Sequence, residues 1–246
     1  MNEQIVRNFV EARRARTAVP ADPCPADQAE AYAVSAGIRA ALSEAVGGWK
    51  VGHAPEGSKA PMGAPMYASG FLKSGGVFKF KPGRAMIPEI EIAVRLSRDL
   101  PPRPDKTYSR DEILEHCSEL LLGIELIERR IPKGAAFALN LADDLGNIGY
   151  VVGPAIKVSR DLDLTKLRCQ FWIGGALHTD RAGGHAKGDP LSPLVDWANA
   201  QRDRHGGMKA GHVVTLGSLT PMIEMLEPAP LRAALEGFGE VFLAMA

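Results

Sequence analysis

The chain has 246 residues, enough for one large domain or one domain with a small appendage. Lysine plus arginine equals aspartate plus glutamate at 29 each, so no global field draws the protein to nucleic acid or an anionic membrane. Hydrophobic residues at 46% and charged residues at 24% are those of an ordinary globular protein with a sizeable core.

Cys24, Cys117 and Cys169 lie far apart and are odd in number. That argues against a disulfide framework or a structural zinc site, and for a reducing compartment. The N-terminal Met-Asn-Glu-Gln-Ile-Val-Arg lacks the apolar core of a signal peptide. No apolar run approaches the roughly 18 residues of a membrane span. The expectation is a cytoplasmic protein with neither a nucleic-acid nor a membrane partner.

Residues 2–17 read as a helix whose arginines, Arg7, Arg13, Arg14 and Arg16, form either a basic patch or a solvated face, the latter expected. After Pro20 and Pro23 a second helix is expected from Pro25 to Val46, ended by Gly47-Gly48. This divides the chain into a helical segment over 1–47 and a core over 48–246. Trp49 to His53 reads as a short strand. Residues 54–76 read as a loop anchored by Met62, Met66, Tyr67 and Phe71. Val77 to Phe80 reads as a strand before a Pro-Gly turn.

Pro88-Glu-Ile-Glu-Ile-Ala-Val-Arg-Leu96 alternates strictly, with Ile90, Ile92, Val94 and Leu96 on one face and Glu89, Glu91, Ala93 and Arg95 on the other. Two carboxylates side by side repel each other unless water or a cation separates them. Either a solvated face or a hard divalent cation accounts for the pair. Ser109-Arg-Asp-Glu112 is a capping box opening a helix to about Leu120. Leu121 to Glu128 follows as an apolar strand carrying Glu125, an acid costly to bury unless paired or bound to metal. Further strands are expected at 149–153, 166–173 and 212–217. Asp189-Pro190 is expected to cap a helix running to about Arg204. Many short strands with a few helices indicate an α+β or mainly β core.

Other candidates are weaker. Lys50, among apolar neighbours, is either a strand-edge lysine reaching water or a proton-transfer group with a lowered pKa. Ala142-Asp-Asp144 is either an Asp turn or a carboxylate near a cation. Gly183 to Pro190 is glycine-rich and leads into a helix start, without the spacing of a phosphate loop. Ser218-Leu-Thr220 offers hydroxyls at a strand end. The six histidines form no metal-like pair, and no Gly-x-Ser-x-Gly elbow is present.

Taken in order, Gly48-Trp-Lys-Val-Gly52, Met62-Gly63, Pro88 to Ala93, Gly123-Ile-Glu-Leu-Ile-Glu-Arg-Arg130, Ala142-Asp-Asp144, Val152-Gly153 and Gly188-Asp-Pro190 form an ordered set. Trp197-Ala-Asn199, Lys209-Ala-Gly211 and Leu216-Gly-Ser-Leu-Thr-Pro-Met222 continue it. The set resembles the fumarylacetoacetate hydrolase superfamily, and within it the 2-keto-4-pentenoate hydratase branch. The resemblance implies a small helical N-terminal segment on a rolled, mixed β-sheet core, α+β in class and usually a homo-oligomer. It implies Mg²⁺ or Mn²⁺ held by Glu89, Glu91 and Glu125, proton transfer by Lys50, and substrate contacts from Asp143, Ser218, Leu219 and Thr220.

The expected activity is metal-dependent hydration of a 2-hydroxydienoate or 2-oxo-alkenoic acid in aromatic-compound catabolism. A cation chelated by such an acid withdraws electron density from its 2-oxo oxygen. The chain departs from the branch at Ala64 to Ser69, where relatives carry an Asp soon after the Leu-Gly equivalent of Met62-Gly63. Asp144 stands where an Asn is usual, and His185 and Lys187 add polar groups to the glycine-rich loop. The missing Asp raises a 2-oxo acid decarboxylase of the 4-oxalocrotonate type as the alternative. A non-catalytic scaffold of the same fold is a third reading. A C–C bond hydrolase is disfavoured because the sequence identifies no histidine–acid pair.

Overall fold

The computed structural model describes residues 2–53, 60–103, 105–200 and 205–246. The first helix, α1 (Asn2–Ala15), buries Ile5, Phe9, Val10 and Ala12 along one stripe. The second, α2 (Gln28–Leu42), starts later than expected because Asp27 caps it, accepting the Glu30 N–H at 2.8 Å. It also ends earlier, at Ser43 in the left-handed region (φ 57°). Gly47 and Gly48 therefore do not end the helix but belong to the first strand, β1 (Val46–His53).

The stretch expected as loop contains two strands, β2 (Pro61–Tyr67) and β3 (Phe71–Lys73), joined by a 3₁₀ turn at Ala68–Gly70. Its prolines suggested a loop, but β2 is an edge strand, where a missing N–H need not break a ladder. Residues 54–59 of that expected loop lie outside the described residues.

The next strands are β4 (Gly76–Phe78), β5 (Met86–Leu96), β6 (Cys117–Glu128) and β7 (Asn147–Lys157). The capping box forms, with Ser109 and Glu112 bonded reciprocally, but its helix α3 (Arg110–Glu115) is shorter than expected because β6 begins at Cys117. The short helix α4 (Phe137–Ala142) was not anticipated. The strands β8 (Arg168–Ile173) and β10 (Val213–Ser218) fall where expected. Three others were not read from the sequence: β9 (Ala176–Ala182), β11 (Leu231–Leu235) and β12 (Gly239–Met245). Helix α5 (Ser192–Ala200) follows the Asp189 turn, and its expected extension to Arg204 falls outside the described residues.

The strands form two mixed sheets, ordered β2-β1-β10-β5-β6-β7-β3 and β4-β12-β11-β8-β9. Strand β12 packs against β6 and β7 and so joins the sheets. The architecture is α+β, a small helical segment on a curled mixed-sheet core. Alternation in β5 sends Ile90, Ile92, Val94 and Leu96 into the main core. Its opposite face is shared with Ala93, Leu121, Tyr150, Val213 and Met66, a small apolar floor beside the acids.

The N-terminal arginines are not simply a solvated face. Arg13 donates to Asp144 Oδ2 at 2.7 Å and Arg16 to Glu128 Oε2 at 2.6 Å, and both acids are buried. Their long stems carry the cations inward past the helix to acids more than a hundred residues away.

Gly123 faces Glu91 across the β5–β6 register, and a Cβ there would lie 2.1 Å from the Tyr150 hydroxyl and 2.3 Å from its ring. Tyr150 is fully buried, so its ring can move only by displacing its neighbours. Gly123→Ala is expected to cost about 1–3 kcal/mol in urea unfolding; a variant as stable as the parent would show that the ring relaxes.

Candidate metal centre

Glu89 and Glu125 are direct cross-strand partners, and Glu91 lies opposite Gly123 on the same face. Because side chains at i and i+2 share a face, this register brings the three carboxylates together. One oxygen from each can be chosen so that all lie within 4.8 Å of one another. They form the one group of at least three potential metal ligands found among the described residues.

The surroundings fix each carboxylate. Glu91 Oε2 accepts the Gly217 N–H at 3.0 Å and the Thr215 hydroxyl. Gly217, at φ 114°, also leaves the space where a Cβ would meet His185 Nε2 at 2.9 Å. Glu125 Oε1 accepts from Lys50 Nζ at 2.6 Å and from Asn147 Nδ2 at 2.9 Å, while its Oε2 is buried with no protein partner. Burial, together with neighbouring carboxylates, pushes Glu91 well above the ordinary carboxyl pKa, and burial raises Glu89 despite Lys50.

Lys50 differs from the lowered pKa that one sequence reading assigned it. Burial opposes its charge, but Glu125, Glu89 and Glu91 outweigh burial and raise its pKa. Three carboxylates against one ammonium leave two uncompensated negative charges when all are ionised. An orphaned carboxylate oxygen, an all-oxygen donor set and that charge deficit fit a hard divalent cation.

A cavity of about 420 Å³ opens on Glu89, Glu91 and Lys50, within the usual range for small-molecule sites. Val51, Met62, Ile127, Phe137, Leu145 and Met222 supply its apolar wall. A second cavity of about 420 Å³ shares Glu89, Ile127, Phe137, Asn140, Leu145 and Met222 with it.

The remaining candidates are placed differently. Ser218 lines the cavity, but its hydroxyl is engaged with the Thr220 backbone at 2.9 and 3.2 Å. Leu219 and Thr220 are buried against β5, with the Leu219 N–H donating to Ile90 O at 2.8 Å. Asp143 is fully buried, and both its oxygens accept from Arg130 Nε at 3.0 Å. Its carboxylate is committed to that pair and to Arg13, 3.1 Å away.

Sequence reasoning missed His53 as a paired group. Its Nε2 lies 2.8 Å from Asp196 Oδ2 on α5, and it lines the cavity. A histidine–acid pair therefore exists, which removes the ground on which a C–C hydrolase was disfavoured. The partners are 143 residues apart, and no local motif joins them. His185 also lines the cavity; its Nε2 donates to Leu216 O at 3.0 Å, and burial lowers its pKa.

The fold matches those of solved structures. A structure of 4-oxalocrotonate decarboxylase from Pseudomonas putida G7, complexed with magnesium and adipate, aligns with a TM-score of 0.85 at 19% identity. The alignment covers 100% of this chain and 98% of that one. Fumarylpyruvate hydrolase from Pseudomonas aeruginosa, with Mn²⁺ and pyruvate, aligns at TM-score 0.56 and 13% identity over 80% of this chain and 88% of its own. At these identities the likeness is one of fold.

In sequence the chain is similar to 2-keto-4-pentenoate hydratases. The Paraburkholderia phymatum protein is 28% identical over 155 residues, 62% of this chain and 58% of that protein, so under two thirds of the relative is spanned. A Dechloromonas aromatica protein, 2-keto-4-pentenoate hydratase 2, is 27% identical over 226 residues, 88% of this chain and 85% of its own. No protein-family model matches the chain. Sequence and fold together bear out the resemblance to the fumarylacetoacetate hydrolase superfamily and its hydratase and decarboxylase branch.

Proposed function

We propose that the chain is a divalent-metal-dependent lyase that hydrates a 2-oxo-alkenoic acid, presented as its 2-hydroxydienoate, in aromatic-compound catabolism. The observation that carries this reading is the convergence of Glu89, Glu91 and Glu125 beside Lys50, on a cavity with apolar walls. The reading includes a cytoplasmic homo-oligomer, with core residues 48–246 carrying the chemistry.

Glu89, Glu91 and Glu125 would hold Mg²⁺ or Mn²⁺. When bound, such an ion supplies Lewis acidity to a chelating 2-oxo acid. Thr215 and the Gly217 N–H orient Glu91, and Asn147 and Lys50 orient Glu125. The Lys50 ammonium, held charged by the carboxylates around it, is a proton donor facing the cavity. Protonation of the dienol at its distal carbon, with loss of its 2-hydroxyl proton, leaves an unsaturated ketone that accepts water at its β-carbon. The apolar wall suits the alkenyl chain of such an acid.

Metal-dependent decarboxylation of a 2-oxo acid is the second reading. It is favoured by the TM-score of 0.85 to 4-oxalocrotonate decarboxylase, and by the absence of an acid from Ala64 to Ser69, where the Lys50 strand partner is the buried Ala64.

The test is ultraviolet loss of 2-hydroxypenta-2,4-dienoate with Mg²⁺ and then with EDTA. Hydration predicts metal-dependent loss of the dienol band, with 4-hydroxy-2-oxopentanoate as product. Lys50→Met is expected to lower kcat about 10²–10⁴-fold, with divalent affinity retained or tightened because a neighbouring cation is gone. No turnover, together with carbon dioxide release from a vinylogous 2-oxo diacid, would replace hydration by decarboxylation.

A further inference from the structure

Where the ends of α1 and α2 meet β4 and the start of β7, a cavity of about 400 Å³ opens that shares no lining residue with the one on the metal centre. Five cations line it: Arg13, Arg14, Arg16, Lys79 and Arg130. Three of them are already compensated. Asp144 pairs with Arg13, Asp143 with Arg130, and Glu128 with Arg16. Arg14 and Lys79 are exposed, and their side chains make no hydrogen bond or ion pair among the described residues. Glu44 is the one acid on the lining; it accepts from the Ser69 hydroxyl at 2.8 Å and pairs with neither cation. Two free cations against one carboxylate leave a net positive charge that a single anion neutralises. The same lining carries Leu42, Phe78, Ile148 and the ring of Tyr67. Arg16 lies 5.4 Å from the centre of the Phe78 ring and Arg13 5.1 Å from that of Tyr67, so both rings are held by cations.

Asn147 joins this cavity to the metal centre. It lines the cavity, its backbone oxygen accepts from Arg130 Nη2 at 3.4 Å, and its Nδ2 donates to Glu125 Oε1 at 2.9 Å. We propose that the cavity is an effector site for a small monocarboxylic acid with an apolar body. Arg14 and Lys79 receive the carboxylate, and the body lies on Phe78 and Ile148. The binding site stands apart from the metal-centre reading above, but its effector role rests on that reading. An anion held beside Asn147 favours a cation bound by Glu125, and by linkage the cation favours the anion by the same factor.

The probe is benzoate, titrated calorimetrically into the full chain in EDTA and then with Mn²⁺. In EDTA benzoate is expected to bind with a Kd of about 1 mM or below. Benzamide lacks the charge and inorganic phosphate lacks the apolar body, and each binds at least about tenfold more weakly. Arg14→Met and Lys79→Met each weaken benzoate about three- to fivefold. Lys187→Met, on the metal-facing cavity, leaves it unchanged. Saturating benzoate tightens Mn²⁺ binding about fivefold, the lower end of the usual coupling between sites. Absence of benzoate binding in EDTA, phosphate or benzamide binding as tightly, or unchanged binding in both Arg14→Met and Lys79→Met overturns the site and leaves the metal centre standing. Binding lost in Lys187→Met overturns it in favour of the metal-facing cavity. Benzoate that binds without altering Mn²⁺ affinity overturns the effector role. A protein that binds benzoate but no Mn²⁺ fails the metal-centre reading, and the effector role fails with it.

Discussion

Glu125→Gln is expected to lower divalent-ion affinity and metal-dependent turnover at least about 100-fold, since even partners of metal ligands are worth 10–100-fold. The size follows from the position. Glu125 is fully buried, its Oε1 is fixed by Lys50 and Asn147, and its Oε2 has no protein partner. Glutamine keeps the shape but removes one of the three charges and turns a donor toward the remaining carboxylates. The metal dependence of the stability effect separates this reading from a structural one. Without metal, relief of repulsion among the acids opposes the loss of the Lys50 ion pair at 2.6 Å, so the melt in EDTA is the baseline for each protein. With Mn²⁺ the parent gains stability by mass action and the variant does not. Paired melting curves read both effects; an equal gain for the two proteins would mean that Glu125 holds no ion.

The second large effect is on the fold. Asp144→Ala is expected to destabilise the protein by about 3 kcal/mol, the lower part of the range for breaking a buried ion pair. Asp144 accepts from Arg13 at 2.7 Å and from the Ser35 hydroxyl at 2.5 Å, tying α1 and α2 to the turn before β7. Removing it leaves Arg13 with Asp143 at 3.1 Å, a carboxylate already shared with Arg130, so the cation keeps part of its compensation. For a chain of this size the loss corresponds to roughly 6–12 °C in Tm. Asp144 also sits at φ 51°, a left-handed conformation that Asp and Asn tolerate and Ala does not. Asp144→Asn is therefore the milder change. Urea unfolding of both variants checks the order, and an alanine variant within about 1 kcal/mol of the parent would contradict the clamp.

What was legible in the sequence was local. The period-two pattern of Pro88 to Leu96 gave the strand and the faces of Glu89 and Glu91, because alternation alone decides both. Glu125 stood out because an acid interrupts an apolar run. That it pairs directly with Glu89 is a matter of register, which no local pattern specifies. Arg13 and Arg16 read as solvated because helix periodicity describes a face and not the reach of a side chain toward acids far along the chain. His53 and Asp196 escaped for the same reason. Strand β2 was hidden by prolines that only an edge position tolerates. By contrast, β12 alternates legibly, with Val241 and Leu243 buried between exposed neighbours.

The central claim is that Glu89, Glu91 and Glu125 hold one divalent ion. Crystals soaked in Mn²⁺ and measured for anomalous scattering test it most directly. A single peak within about 2.0–2.6 Å of an oxygen from each of the three carboxylates is the predicted result. A map with no peak between the three carboxylates, from crystals of a protein that binds Mn²⁺ elsewhere, would contradict it.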